Sequence, residues 1–192
     1  MWPWEHLAFA YVLYSLTANV ILRRSPSAHE TIIVAIASQL PDLIDKPLAW
    51  SLGITETGYS IGHSIIVAPV ICLVAYAVAD RWDARSLAGA FSIAYLSHPA
   101  ADVLSRILRG EVIDFRMLLW PIASPPAGAD GGFTDHVVRY LLGYVYLLMM
   151  EGLTVQVAFQ ALLGVSVLAL WLSDGAPVAT DIWRLAYDQR RQ

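Results

Sequence analysis

The sequence predicts an all-α protein: a polytopic membrane bundle of about five transmembrane helices, with further helices lying at the interface. Three observations lead there. The first is composition: 57% of the 192 residues are apolar and only 15% are charged, where a soluble domain carries about 25% charge. So few polar groups cannot cover a globular surface. The second is a series of apolar runs, bounded by charge, Pro or Gly, that approach the roughly 20 residues a helix needs to cross a bilayer. The third is the placing of tryptophan: Trp2, Trp4, Trp50, Trp82 and Trp171 fall at the ends of those runs, as in an aromatic belt. The length suits a single integral membrane domain over residues 1–192. A net charge of −4 and the lack of a basic patch exclude nucleic acid, and membrane lipids are the expected partners. The sequence does not identify protein partners. Cys72 is the single cysteine, so no intrachain disulfide can form.

The first span, roughly 5–22, is ended by "RRSPS". It lacks the basic segment of a cleavable signal, since Glu5 and no Lys or Arg precede it, and it is read as retained. The second, about 29–50, is interrupted at Pro41, which kinks a helix and frees a backbone carbonyl. The third and fourth are 61–79, followed by "DRWDAR", and 87–105, followed by "RILRG". The last is 154–173, ended by Asp174-Gly175. Between the fourth and the last, the Pro- and Gly-rich "LLWPIASPPAGADGGF" reads as loop or re-entrant structure. The following helical stretch, capped by Thr134 or Asp135, has too short an apolar run to span and is placed at the interface. The tail "ATDIWRLAYDQRR" reads as a short surface helix.

This topology gathers the polar residues that interrupt the apolar runs. His6 opens the first span, Asp42 and Asp45 close the second, His63 opens the third, and His98 and Asp102 close the fourth. An alternating up-and-down path puts all of them at one membrane face and one shallow depth. His98 and Asp102 are i,i+4 and share a helix face, and Asp42 and Asp45 are i,i+3. A charged group inside the bilayer costs about 2.5–3.5 kcal/mol on insertion scales, so it is paired or functional. Imidazole and carboxylate together suit a divalent cation: zinc first, with manganese, iron or magnesium as alternatives. The expected ligands are His6, Asp42, His63, His98 and Asp102. Asp45 and Glu5 are the expected general base or supporting carboxylates, and Ser64 a hydrogen-bonding or nucleophilic hydroxyl. His29 falls on the opposite face, and His136 is kept as an outside candidate.

At these residues the sequence resembles the YdjM-like family of membrane-bound predicted metal-dependent hydrolases, described as LexA-regulated in bacteria. The family's His before the first span is matched by His6 in "WEHLAFAYVLYSL", and its L-P-D-x-D-like element by "LPDLID", with the second acid one residue later. Its T-H-S is matched by "IGHSII" with His63 and Ser64, its S-H-x-x-x-D by "LSHPAAD" with His98 and Asp102, and its W-P by Trp120-Pro121. The likeness covers about residues 1–125. Gly58 and Tyr59 stand where many members carry His-Arg, so one ligand or phosphate-binding pair of the family is missing here.

The function expected on these grounds is metal-dependent hydrolysis at the membrane surface, on a lipid or lipid-linked (phospho)ester, by a multi-pass protein of the cytoplasmic (inner) membrane. The alternative is a non-enzymatic metal-binding scaffold or an ion-handling transporter. Arg23, Arg24, Arg81 and Arg85 lie in two short loops on the face opposite the site, against Lys46 in the short loop of the site face. The positive-inside rule therefore puts the site on the extracytoplasmic face.

Overall fold

A computed structural model describes residues 1–128 and 131–189. Among these there are eight α-helices and no strand. Helix α1 (Pro3–Leu16) starts with Pro at its first position, which needs no partner for a missing N–H, and runs on through a wider turn, Thr17–Ile21. Helix α2 (Ala28–Ala37) is opened by a reciprocal cap: Glu30 N–H donates to Ser27 Oγ at 3.3 Å and Ser27 N–H to Glu30 Oε2 at 2.8 Å. Arg24 grips the same Glu30 with two bonds, 2.7 and 2.5 Å.

The expected second span is divided in two. Helix α3 (Leu40–Trp50) follows α2 after a break at Ser38–Gln39, with Pro41 in its first turn. Helix α4 (Ala68–Asp80) begins later than expected, because 61–67 forms turns rather than helix. Helix α5 (Arg85–Leu108) is the longest and touches α1, α2, α3, α4 and α7. Helix α6 (Phe133–Tyr146) continues through a wide turn, Leu147–Glu151. Its N-cap is Gly132 rather than Thr134 or Asp135; Asp135 lies inside the first turn and reaches back to accept from Gly132 N–H at 2.9 Å. Helices α7 (Val155–Ser173) and α8 (Ala179–Gln189) complete the described chain. The last residues of the expected tail helix, 190–192, lie outside the described residues.

The core is built from small residues and tyrosines: Ala10, Tyr11, Tyr14 and Ala18 of α1 meet Val34 and Ala37 of α2, Ala68 of α4, and Ala90, Ala94 and Tyr95 of α5. Small side chains let helix axes approach closely, as helices in lipid require. At one end α7 is tied to α1 through Asp174, which accepts from Tyr11 Oη, Ser15 Oγ and Asn19 Nδ2 at 2.8, 2.7 and 2.7 Å. Large apolar side chains such as Val20, Ile36, Val70, Leu73, Leu162 and Val165 face outward.

Of the described helices, α7 alone is both long and apolar enough to cross a membrane by length and composition, and α4 is a shorter apolar helix. The other expected spans fall short for visible reasons. The second is broken at Ser38, and α5 carries His98, Asp102 and Arg106 among its apolar residues.

Candidate metal centre

One end of the bundle gathers the N-terminal turn of α1, the whole of α3, the connection 51–67 and the last turns of α5. The long connection after α5 belongs to the same end, because Ser64 Oγ donates to the Trp120 carbonyl at 2.5 Å and Ile65 N–H to that of Leu118 at 3.0 Å.

The site starts from Asp45, which is fully buried on α3. Its carboxylate accepts from Ser60 N–H (2.7 Å), Ser60 Oγ (2.7 Å), Gly62 N–H (2.8 Å) and His63 N–H (3.1 Å). The segment 60–63 has no helix to satisfy its amides, and Asp45 satisfies those of Ser60, Gly62 and His63. Gly62 is required at this contact: a Cβ there would sit 2.7 Å from the Pro41 carbonyl oxygen and 2.8 Å from Pro41 Cα. The Gly62 carbonyl in turn accepts from Tyr95 Oη at 2.7 Å.

The same carboxylate orients His63, whose Nδ1–H donates to Asp45 Oδ2 at 2.8 Å. His98 is oriented from the break between α2 and α3: its Nδ1–H donates to the Ser38 carbonyl at 2.6 Å. A carbonyl or carboxylate only accepts, so each ring carries its proton on Nδ1, and a neutral imidazole then presents a lone pair at Nε2. Both Nε2 atoms are buried and have no hydrogen-bond partner among the described residues, nor has either nitrogen of His6. The His6 ring stacks on that of His98, centroids 3.6 Å apart and planes 5° from parallel.

These nitrogens converge on two carboxylates. His63 Nε2 and His98 Nε2 lie 3.6 and 3.5 Å from Asp42 Oδ1, and 3.5 and 4.0 Å from Asp102 Oδ2. His6 Nε2 lies 3.3 Å from the other oxygen of Asp102. These separations are long for hydrogen bonds and suit a shared ion: two ligands about 2.0–2.1 Å from a tetrahedral centre stand about 3.3–3.4 Å apart. The donor atoms form two overlapping sets, His6–His98–Asp102 and Asp42–His63–His98, each within 4.8 Å. The residues thus fit a divalent cation in donor type, tautomer and spacing. Each carboxylate also meets an ammonium: Asp42 that of Lys46, and Asp102 that of Met1 at 2.6 Å.

All five expected ligands are therefore brought together. The three supporting candidates take other places. Asp45 holds His63 and the 60–63 backbone. Glu5 accepts from Trp2 N–H at 2.8 Å and from Gln160 of α7, which ties α7 to α1. Ser64 caps the approach to α4, accepting from Ile66 and Val67 N–H at 3.1 and 3.2 Å while its proton goes to Trp120. Each carboxylate oxygen of Asp45 and Glu5 accepts at least one hydrogen bond, and the Ser64 hydroxyl both donates and accepts. His136 is not part of the cluster; it stacks on Trp50 with centroids 4.5 Å apart. His29 is exposed. The Ser38 carbonyl, Ser60 and Tyr95 carry no motif and were not expected. Gly62, directly before His63, was a legible signal of close backbone approach.

The chain matches the family described as "YdjM inner membrane protein" over residues 1–176. It belongs to that family. The match runs well past the 1–125 of the motif likeness and takes in α6 and α7, so the inner-membrane family extends over the site and over the apolar helix packed on α1. Neither the curated proteins nor the solved structures offer a match.

Proposed function

We propose that the chain is a multi-pass inner-membrane hydrolase that uses a divalent metal, zinc first, to cleave a lipid or lipid-linked ester at the membrane surface. The observation that carries this reading is the convergence of three buried imidazoles, each with an Nε2 that has no hydrogen-bond partner among the described residues, on Asp42 and Asp102. Asp42, His63, His98 and Asp102 would hold the ion, with His6 on the second oxygen of Asp102. The ion would supply a Lewis acid for the ester oxygen and a bound water of lowered pKa. The chain's own part is orientation: Asp45 fixes His63 and the Ser38 carbonyl fixes His98, each in the tautomer that leaves Nε2 free. Of these residues Asp42 keeps the most side-chain surface exposed, 12%, while Asp102 and the three imidazoles are buried.

The same reading takes five spans: α1 with its extension, the broken pair α2–α3, α4, α5 and α7. Helix α4 is about 20 Å long, short of the roughly 30 Å hydrocarbon core. The remainder is the non-helical segment 61–67, tolerable at depth only where protein satisfies its backbone. Asp45 does this for Gly62 and His63, and Ser64 for Ile66 and Val67.

A structural metal site is the second reading, because two His and two Asp already make a closed four-ligand shell. A transporter fits less well, since its site belongs near the midplane and this one lies at helix ends. Metal analysis of the detergent-purified protein, with a panel of phospho- and acyl-lipid hydrolysis assays, separates these. We expect about one or two equivalents of metal in the wild type, and a loss of affinity of at least about 10–100-fold in His98→Ala. Equal metal content in wild type and a His63→Ala, His98→Ala double variant would end the metal reading. Bound metal without turnover of any lipid would favour the scaffold.

A further inference from the structure

Both carboxylates of the centre are followed by a cation one helical turn later: Asp42 by Lys46 on α3, and Asp102 by Arg106 on α5. Four residues advance a helix by about 6 Å and return to the same face. Both helices run toward the same end of the bundle, where they pass into the connections 51–67 and 109–128, joined through Ile65 and Leu118. The two cations therefore form a layer outside the layer of His and Asp. Each is backed by an aromatic ring. Lys46 Nζ lies 5.5 Å from the Trp50 centroid, and the Arg106 guanidinium carbon 5.7 Å from that of Tyr59. Tyr59 itself stands edge-on to His63 at 4.8 Å. The side chains keep 28% and 26% of their surface exposed, so they face outward without being free in solvent.

The charges around this layer decide what it can take. Lys46 is paired with Asp42, and Arg106 lies 3.6 Å from Glu111. Glu111 is engaged more closely by Arg109, at 2.6 Å. A divalent ion bound by Asp42 and Asp102 would neutralise both, leaving Lys46, Arg106 and the Met1 ammonium as positive charges around the centre, against a Glu111 shared with Arg109. Guanidinium and ammonium groups offer donors to a tetrahedral anion from two sides.

Resting on the metal-hydrolase reading, we propose that Lys46 and Arg106 form a phosphate subsite: the substrate is a phosphoester whose non-bridging oxygens meet these two side chains while the phosphorus faces the His/Asp layer. Lys46 and Arg106 are specificity-determining residues in this arrangement. The phosphate can belong to a lipid headgroup or to a soluble ester.

The test is binding rather than turnover. Isothermal calorimetry on detergent-purified protein, zinc-loaded and chelator-treated, would use inorganic phosphate and dihexanoyl phosphatidic acid as probes. Lys46→Met and Arg106→Met should each weaken phosphate binding about ten-fold, the scale of one charge-assisted bond. Lys46→Arg and Arg106→Lys should restore most of it, which a purely structural role would not predict. Zinc content near wild type in each variant is the folding control. Tighter binding of the lipid probe, lost in the double Met variant, assigns the subsite to a headgroup; tighter inorganic phosphate, lost in the same way, assigns it to a soluble ester. Equal phosphate affinity in wild type and double variant overturns the proposal even where zinc binds. Absence of zinc with the phosphate difference intact would instead remove the metal reading and leave the anion subsite standing.

Discussion

Replacing Asp45 by Asn keeps the size of the side chain but removes its charge and turns one acceptor oxygen into a donor. Four donors from Ser60, Gly62 and His63 and the ring of His63 now meet that carboxylate. Hydrogen bonds to a charged acceptor contribute about 1.5–3 kcal/mol each, and a buried donor left unpaired costs about 1–3 kcal/mol. Asp45→Asn should therefore destabilise the protein by at least about 3 kcal/mol and weaken metal binding about 10–100-fold, although Asp45 touches no metal in this scheme. Thermal unfolding in detergent together with metal titration checks both, and an unchanged unfolding midpoint would refute the role given to Asp45. At this scale the sequence was informative about His6, Asp42, His63, His98 and Asp102, because ionisable residues stand out against an apolar background. It set Asp42 among the ligands and Asp45 as a base or supporting carboxylate, but held no geometric reason for that division. Asp42 and Asp45 are alike in type and three residues apart, and only the position of the 60–63 backbone makes one a ligand candidate and the other its support.

The elements most altered from expectation, the broken second span and the shortened third, are the ones that build the site. A continuous helix through Ser38 would use its carbonyl internally, and His98 would lose the acceptor that sets its tautomer. A helix starting at residue 61 would give the first-turn amides of Gly62 and His63 no partner within the helix, whereas in the turns observed Asp45 accepts from both. Pro41 was legible as a disruption, whereas in 61–67 the one local signal, Gly62, is outweighed by an apolar character that is that of a span. The contact between Gly62 and Pro41 holds the two irregular pieces together. Gly62→Ala should push the 60–63 segment away from α3, since a Cβ 2.7 Å from a backbone oxygen cannot be absorbed by a side-chain rotation. The expected outcome is a loss of metal affinity of at least about ten-fold, comparable to losing a supporting group, with α-helical content preserved by circular dichroism. Wild-type metal affinity in Gly62→Ala would show that the close approach is not needed.

For the whole molecule, the all-helical class followed from composition and the gathering of polar residues at one end from simple alternation of spans. Which side of the membrane that end faces rests on the distribution of cations. The opposite end carries Arg23, Arg24, Arg81 and Arg85 in or directly beside its two short connections, and Arg184 on α8. The site end carries Lys46, Arg106, Arg109 and Arg116, with Arg139 on α6 beside α3. Arg106 and Arg109, directly at the end of α5, count against an extracytoplasmic site. Lys46 and Arg106 have a separate reason to be there if they hold a phosphate, whereas the four Arg of the short connections are left to the positive-inside bias, which counts Lys and Arg whatever acids they meet. We expect the site end to lie outside the cytoplasm. Thr57 lies in the right connection for a reporter cysteine but is buried, whereas the neighbouring Glu56 is exposed. In a Cys72→Ala background, Glu56→Cys should react with a membrane-impermeant thiol reagent while the inner membrane is intact. Reaction only after that membrane is opened would turn the protein over, place the His/Asp layer at the inner leaflet, and make cytoplasmic phosphoesters the substrates to test first.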